Sequence, residues 1–306
     1  MPNPITLPAF TPLYTPLAHR ALVVVRGEDR ISFLQGLVSN DMLRVQAGEA
    51  VWAAFLTPQG KFLHEFFAVP HNDTVLLECE RARRDDLITR LSRYKLRAKV
   101  TLAADDTLVP GVAWGEASAA LNTSETPGTV TAHGAGVLYT DPRLLGAGVR
   151  WALHADQIDG LAKLGLARAT PEAFDALRFE LGLPDGSRDM DVEKALLLEN
   201  GFEELRGVDF KKGCYIGQEL TARTHYRALI KKRLMPVSLD GQAEPGTPLT
   251  TADGLEAGEL KSAADGKGLA LVRLDKRSGK LHAGSVQVTA HQPAWMKLPG
   301  ENSEAK

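Results

Sequence analysis

The chain has 306 residues, 44% hydrophobic and 24% charged, which is enough apolar material for a large core and about two domains. Its 36 basic and 38 acidic residues give a net charge of −2. This balance argues against a general nucleic-acid binder, which needs a broad basic face. The N-terminus has no basic region and no long apolar run, so we expect no signal peptide and no membrane span. Only two cysteines occur, which excludes a disulfide framework and favours the reducing cytoplasm.

The first half of the chain predicts strands that alternate with amphipathic helices. Leu22–Val25 is typical of a buried strand, and Asp29 is a candidate N-cap for the helix that follows. Trp52–Leu56 and Phe62–Val69 form a predicted hairpin around the turn Thr57–Gly60. Further along, the pattern predicts a strand over 74–79, a helix over 85–94, a strand over 100–102, and a loop with weak strands over 115–135.

The second half predicts one long helix and a small barrel. Thr170 and Pro171 favour a helix start, and Gly182 favours its end. From Leu234 onward, short strands alternate with Gly-rich turns, which is typical of a β-barrel. The predicted strands of this barrel are 234–239, 258–262, 268–274 and 285–290. We therefore expect three parts: residues 1–233, a barrel over 234–298, and a disordered tail over 299–306.

The most distinctive segment surrounds Cys214. Between residues 206 and 233 there are eight lysines or arginines and two acids. Gly213 and Gly217 flank the cysteine, so the backbone can turn sharply there. Cationic neighbours favour the thiolate, the form of cysteine that attacks or binds metal, and a helix over 218–226 would add its positive end. The cations meant here are Lys211, Lys212, Arg223 and Arg227.

The two cysteines are therefore expected to differ. A free cysteine is more often a buried small hydrophobe, and we predict that structural role for Cys79, which lies in an alternating strand. We expect Cys214 to be exposed and reactive. A metal or cluster site needs about four ligands, so the chain is not expected to bind a metal alone. Cys214 is a candidate transient ligand of a cluster that a partner carries.

At this point a resemblance emerges. Lys212-Gly-Cys-Tyr-Ile-Gly-Gln-Glu219, followed by Arg223, resembles the signature of the YgfZ family, which includes a mitochondrial iron–sulfur assembly factor. That family is related in fold to the glycine-cleavage T-protein, an aminomethyltransferase that uses tetrahydrofolate. Supporting motifs occur in the same order at 27–30, 33–36, 40–41, 56–61 and 94–97.

The resemblance implies both a fold and a function. The fold is α+β, a T-protein-like ring of three lobes in which two intertwined α/β lobes bind folate around a central hole and a β-barrel follows. The function is that of a tetrahydrofolate-binding accessory protein for the assembly or repair of iron–sulfur clusters. Its partners would be iron–sulfur assembly proteins or cluster-dependent client enzymes, with Cys214 at the rim of the cavity.

The resemblance also assigns folate residues. Arg178-Phe-Glu180-Leu-Gly182 looks like the T-protein's Arg-x-Glu-x-Gly, whose glutamate holds the pterin through a pair of N–H groups. The anionic tail of folate would bind Lys211, Lys212 or Arg227. Tyr215 and Gln218 stand where T-proteins have phenylalanine and arginine. Solvated surface positions are the competing interpretation for Glu180 and for these cations.

One departure keeps other functions open. T-proteins have an aspartate pair on the second hairpin strand, where this chain has His64 and Glu65. The missing pair argues against aminomethyl transfer, although a folate-dependent one-carbon transferase or a demethylase that uses His64 stays an alternative. A third hypothesis is an interaction protein that contacts RNA through Lys231-Lys-Arg233 and the basic stretch before it. Three adjacent cations are more often a solvated turn.

Overall fold

The computed structural model describes residues 11–227 and 230–298. The predicted disordered tail, 299–306, lies outside these residues. The strands are β1 Leu13–Pro16, β2 Arg20–Arg26, β3 Val51–Leu56, β4 Phe62–His71, β5 Thr74–Glu80, β6 Thr101–Asp105, β7 Val109–Trp114, β8 Val130–His133, β9 Gly136–Thr140, β10 Val149–Leu153, β11 Ala167–Arg168, β12 Lys232–Leu239, β13 Pro248–Thr251, β14 Glu256–Ala264, β15 Lys267–Arg273, β16 Leu281–Ala283 and β17 Val286–Ala290.

Short helices connect and cover these strands. They are α1 Arg30–Gln35, α2 Met42–Gln46, α3 Arg84–Ser92, α4 Ala117–Ala120, α5 Ala155–Gly160, α6 Pro171–Leu181 and α7 Gln218–Tyr226. None of the helices within the described ranges combines the length and the apolarity that crossing a bilayer requires.

The first sheet lies in the middle of the core. Its order is β3-β4-β5-β2-β6, and every neighbouring pair is antiparallel. One face packs on α1, α2 and α3, and the other packs on the second sheet. Because both faces are covered, the strands β2 to β5 are long apolar runs, and all six residues of β3 are buried, whereas the edge strand β6 is more exposed.

The second sheet was largely missed by the sequence prediction. Its order is β11-β1-β7-β10-β9-β8, and it places β1 beside a strand almost a hundred residues later in the chain. The strands β9 and β10 are each five residues long and fully buried. They therefore lack the polar alternation by which a half-buried strand is recognised. The stretch 115–135, predicted as a loop with weak strands, contains α4 and β8.

The long helix and the barrel follow the prediction closely. In α6 the Thr170 hydroxyl accepts a hydrogen bond from the Ala173 N–H, and Gly182 ends the helix in the left-handed region, with a φ of +71°. The barrel closes in the order β12-β15-β14-β13-β16-β17. The four predicted strands match β12, β14, β15 and β17, and the two short strands β13 and β16 were not predicted.

Two of the contacts that join the barrel to the rest of the molecule involve Trp295 and Arg233. The Trp295 indole N–H donates to the Leu181 carbonyl over 2.7 Å, and its ring packs over Gly201. Arg233 of β12 forms a 2.9 Å ion pair with Glu204. Both contacts reach the segment 201–207, which leads directly to Cys214.

Candidate functional site

Cys214 lies on a loop, residues 209–217, whose two ends are fixed. At its start the Asp209 carboxylate accepts hydrogen bonds from the backbone N–H groups of Lys211 and Lys212, over 2.7 and 3.1 Å. At its end Gly217 has a φ of +78°, and α7 begins at the next residue. The helix therefore starts and ends where the sequence predicted it.

Lys212, two residues before Cys214, forms hydrogen bonds with the chain at and just after the end of α1. The Lys212 ammonium donates to the carbonyl oxygens of Gln35, Val38 and Asn40, over 2.7, 2.6 and 2.9 Å. These carbonyls follow the last turn of α1, so the lysine satisfies acceptors that the helix leaves open. Burial lowers the pKa of Lys212 to about 8. Tyr215, on the other side of Cys214, is buried in the core.

The thiols differ as the sequence predicts. Cys214 is exposed, and Cys79 is 1% exposed on β5. Burial raises the pKa of the Cys79 thiol to about 12, which leaves it inert at neutral pH. The chain thus presents one accessible thiol, held between two anchored neighbours.

The other residues of the predicted motif lie on the same loop as Cys214 or on α7. Gln218 accepts a hydrogen bond from the Tyr215 backbone N–H over 3.2 Å, which closes the loop. Gly213 has open space around it. The side chains of Lys211, Glu219, Arg223 and Arg227 are exposed. Their predicted roles toward folate or a partner stay predictions.

The predicted pterin residues have other contacts in the structure. Arg178 is fully buried and forms ion pairs with Asp175 and Asp189, over 2.6 and 2.7 Å. Glu180 lies on the outer side of α6, where its side chain is 69% exposed and faces Lys267 at 3.4 Å. Arg178 and Glu180 therefore point into different surroundings, and their assignment to folate stays a prediction.

A cavity of about 10 Å³ lies between the two sheets, lined among others by Glu65, Phe67, Arg150 and Arg178. This is about the room that one water molecule needs. Tetrahydrofolate does not fit into this cavity, and the residues that the resemblance assigned to folate do not line it together.

A buried charge network fills this interior. Glu78 of β5 accepts hydrogen bonds from Arg20, Arg150 and the Tyr139 hydroxyl. Burial alone would raise the pKa of Glu78, but Arg150 and Arg20 outweigh it and hold the pKa below its ordinary value. Each of these partners comes from a different strand, so the network connects the two sheets.

Two further carboxylates complete the network. Glu65 of β4 pairs with Arg20 and accepts the Trp52 indole N–H over 2.6 Å. Asp141 pairs with Arg143 over 2.7 Å, and Arg143 also donates to the Pro184 carbonyl. No sequence pattern predicts this network, because most of its partners lie far apart along the chain.

The two positions where T-proteins carry aspartates are both buried. His64 is 3% exposed and bonds to Asp86 over 2.9 Å. Burial and the charge of Arg83 lower the pKa of His64 to about 4. Its neighbour Glu65 belongs to the interior network. Neither side chain is open to a substrate from solvent.

The basic run 231–233 is not a continuous exposed patch. Arg233 is 1% exposed and paired with Glu204, and Lys232 pairs with Glu256 over 3.4 Å. Only Lys231 of the three is exposed. The arrangement thus lacks the row of free cations that the RNA hypothesis needs.

Within the described ranges, no group of three or more histidine, cysteine, aspartate or glutamate side chains is arranged to hold a metal ion. Cys214 is therefore a single potential ligand. Any cluster that it contacts needs its other ligands from elsewhere.

Comparison with known proteins identifies relatives along most of the chain. Residues 231–298 match the family described as CAF17, C-terminal beta-barrel domain. The mitochondrial iron–sulfur cluster assembly factor IBA57 of Mus musculus is 36% identical, over 90% of this chain and 83% of its own length. The same factor of Homo sapiens is 33% identical over the same shares. An IBA57 homologue of Coccidioides immitis is 30% identical over 92% and 82%.

The fold has a distant structural relative. The glycine cleavage system aminomethyltransferase T of Bartonella henselae superposes with a TM-score of 0.74, over 94% of this chain and 86% of that chain, at 13% sequence identity. The predicted T-protein-like fold with a C-terminal barrel is therefore confirmed.

The comparisons also correct one prediction. The matched relatives are named as mitochondrial proteins, so the expectation of a cytoplasmic protein is wrong. It rested on the lack of a signal peptide and on the low cysteine content. A low cysteine content indicates a reducing environment without identifying the compartment that provides it.

Proposed function

Because the chain belongs to the IBA57 family of iron–sulfur cluster assembly factors, we propose that it assists cluster assembly in partner proteins through the thiol of Cys214. The observation that carries the proposal is one exposed thiol on a loop anchored on both sides, by Lys212 and by Tyr215. Cysteine thiolates are the common ligands of iron–sulfur clusters. An accessible thiol at a fixed position is what a transient ligand requires.

The chemistry is a reversible ligand exchange. The Cys214 thiol releases its proton, and its sulfur binds an iron of the incoming cluster in place of one thiolate of the carrier protein, which takes up a proton as its own bond to that iron breaks. The partner supplies the remaining ligands, since the described residues contain no other suitable group. One sulfur ligand is too few to retain the cluster, so it can pass on to the client protein.

Tetrahydrofolate binding is a separate part of the proposal, and the likeness of fold to an aminomethyltransferase supports it. The proposed mechanism assigns no step to folate, because the residues named for it do not share a cavity. Calorimetric titration with tetrahydrofolate, with Glu180→Ala as the comparison, tests this part. If the wild-type protein binds no tetrahydrofolate, the proposed folate binding is refuted, and the role of Cys214 is unaffected.

The role of Cys214 is tested by a pair of cysteine variants. In cells that lack the native protein, we expect Cys79→Ala to restore the activity of cluster-dependent enzymes and Cys214→Ala to fail. Immunoblots must show equal amounts of both variants, which separates lost chemistry from lost folding. Full enzyme activity with Cys214→Ala would refute the proposal.

A further inference from the structure

A second surface feature lies close to the Cys214 loop. We call it the α3 pocket: a cavity of about 330 Å³ between the turn that joins β3 to β4 and the end of α3. Its floor is apolar and consists of Phe55, Leu63, Pro58 and the ring of Tyr94. Phe55 and Tyr94 meet edge to face, with ring centroids 5.9 Å apart. The volume and the lining suit one large apolar side chain.

The rim of the α3 pocket carries free positive charge. Arg90 is already paired with Asp86 at 2.9 Å and with Glu193 at 3.4 Å, and Arg83 also lies 3.6 Å from Asp86, so two cations balance these two acids. Arg93, also on the rim, forms no ion pair with any described residue. It begins what we call the basic loop, Arg93–Lys99, which has four cations and no acid.

The basic loop also presents an apolar side chain to solvent. Leu96 is 91% exposed, and its φ of +42° places a leucine in the left-handed region that favours glycine. Lys95 and Arg97 flank it and form no ion pair within the described part of the chain. Strained conformations of this kind concentrate at functional segments.

The α3 pocket and the Cys214 loop flank the same turn. Thr57 lines the pocket, and a Cβ added at Gly217 would lie only 2.4 Å from the Thr57 carbonyl oxygen. Cys214 is three residues before Gly217, a stretch of chain that spans at most about 11 Å. Ile216 packs on the same apolar cluster as Phe55 and Tyr94. One partner of ordinary interface size therefore reaches both features.

Given the role proposed above for Cys214, we propose that the α3 pocket and the basic loop form the docking surface for the partner protein that carries the cluster. The segment that binds there is acidic and inserts an apolar side chain into the pocket. Its carboxylates pair with the side chains of Arg93, Lys95 and Arg97, which form no ion pair within the described residues. Leu96 packs against the same segment.

The surface fits a protein better than a nucleic acid. The cations lie on one short loop in a chain of net charge −2, whereas nucleic-acid binding needs a broad basic face. The exposed Leu96 and the apolar floor of the pocket have no use against a phosphate backbone. Both suit an interface that combines a buried apolar contact with a charged rim.

A peptide experiment tests the surface directly. The probe is a short fluorescein-labelled peptide with a central leucine-phenylalanine pair between aspartates and glutamates, and its binding is measured by fluorescence anisotropy at several salt concentrations. We expect salt-sensitive binding that Arg93→Glu/Arg97→Glu weakens at least about tenfold. Lys163→Glu/Lys280→Glu makes the same change in net charge at exposed positions elsewhere, and it should bind like the wild type.

A single-residue variant separates docking from folding. Leu96→Asn removes the apolar tip and supplies a residue that tolerates the left-handed conformation. We expect a melting temperature at least equal to that of the wild type, together with weaker peptide binding.

Equal binding by the wild type and both docking variants would overturn the proposal. Tighter binding of a single-stranded RNA oligonucleotide than of the peptide, abolished by Arg93→Glu/Arg97→Glu, would overturn it in favour of RNA.

A cellular experiment keeps this inference apart from the proposed function. Arg93→Glu/Arg97→Glu at native expression should lower the activity of cluster-dependent enzymes, and overproduction should restore it because concentration offsets weaker binding. Cys214→Ala should fail at every expression level. An inactive Cys214→Ala beside a fully active docking variant would refute the docking surface alone. An active Cys214→Ala would refute the role of the thiol, and the peptide experiment would still decide the surface.

Discussion

The space between the two sheets and the Cys214 loop are both rich in charge, but they use it differently. In the interior every carboxylate has a cation, as Glu78 has Arg20 and Arg150. On the loop the backbone is held in place, while the side chains of Cys214, Lys211, Arg223 and Arg227 form no ion pair or hydrogen bond within the part of the chain that the structure describes. Buried and exposed charges therefore have different roles in this chain. Its buried charges join the sheets, and its exposed groups stay available to other molecules.

The two cysteines give the largest expected difference between a buried and an exposed group. In the native protein Cys214 should react with a thiol reagent at least about a thousandfold faster than Cys79, because Cys79 reacts only after the structure opens. Labelling with a chromogenic disulfide should therefore count one thiol per chain in buffer and two in denaturant. Two rapidly labelled thiols in buffer would contradict the distinction.

Removal of the buried carboxylate of Glu78 should lower the free energy of unfolding. We expect Glu78→Ala to lower the free energy of unfolding by about 3–5 kcal/mol, since it leaves two buried guanidinium groups without their shared acceptor. Urea denaturation measures the change. Glu219→Ala, on the exposed face of α7, is the control and should shift the free energy by less than about 0.5 kcal/mol. A similarly small change in the free energy of unfolding for both variants would contradict the structural role of the network.

Two glycines of the Cys214 loop differ in the space around them. Gly217→Ala should lower the free energy of unfolding by about 2–4 kcal/mol, because its left-handed φ and the nearby Thr57 oxygen leave no room for a Cβ. Gly213→Ala meets open space and should be tolerated. Thermal melts of the two variants compare these two positions directly. Equal melting temperatures would contradict the difference between them.

Low pH should lower the free energy of unfolding, because the buried His64 is harder to protonate in the folded protein than in the unfolded chain. Its folded pKa, about 4, lies below its ordinary value, so the unfolded chain binds a proton first as the pH falls. The stability that depends on neutral His64 is thus complete above about pH 6.5 and is lost toward pH 4. Between pH 7 and pH 5 this loss is about 2 kcal/mol. His64→Gln should flatten that part of the stability profile, and an unchanged slope would contradict it.

The same comparison explains what the sequence could predict. The first sheet, α6 and four barrel strands follow from apolar runs, caps and turns, and the Cys214 segment follows from its glycines and lysines. The charge network does not, because Arg20, Glu78 and Arg150 resemble solvent-facing strand positions until three distant strands meet. Lys212 illustrates a similar limit. Its charge was predicted to act on the thiol, but its ammonium caps carbonyls of a segment more than 170 residues earlier.

The attachment of the barrel has a consequence for the thiol. Trp295 and Arg233 both reach from the barrel to the segment 201–207, and seven residues later the chain arrives at Cys214. A tilt of the barrel would therefore pull on the same stretch of backbone that positions the sulfur. The barrel therefore helps to hold this backbone in place, and the position of the Cys214 sulfur depends on packing in a part of the chain that comes after it.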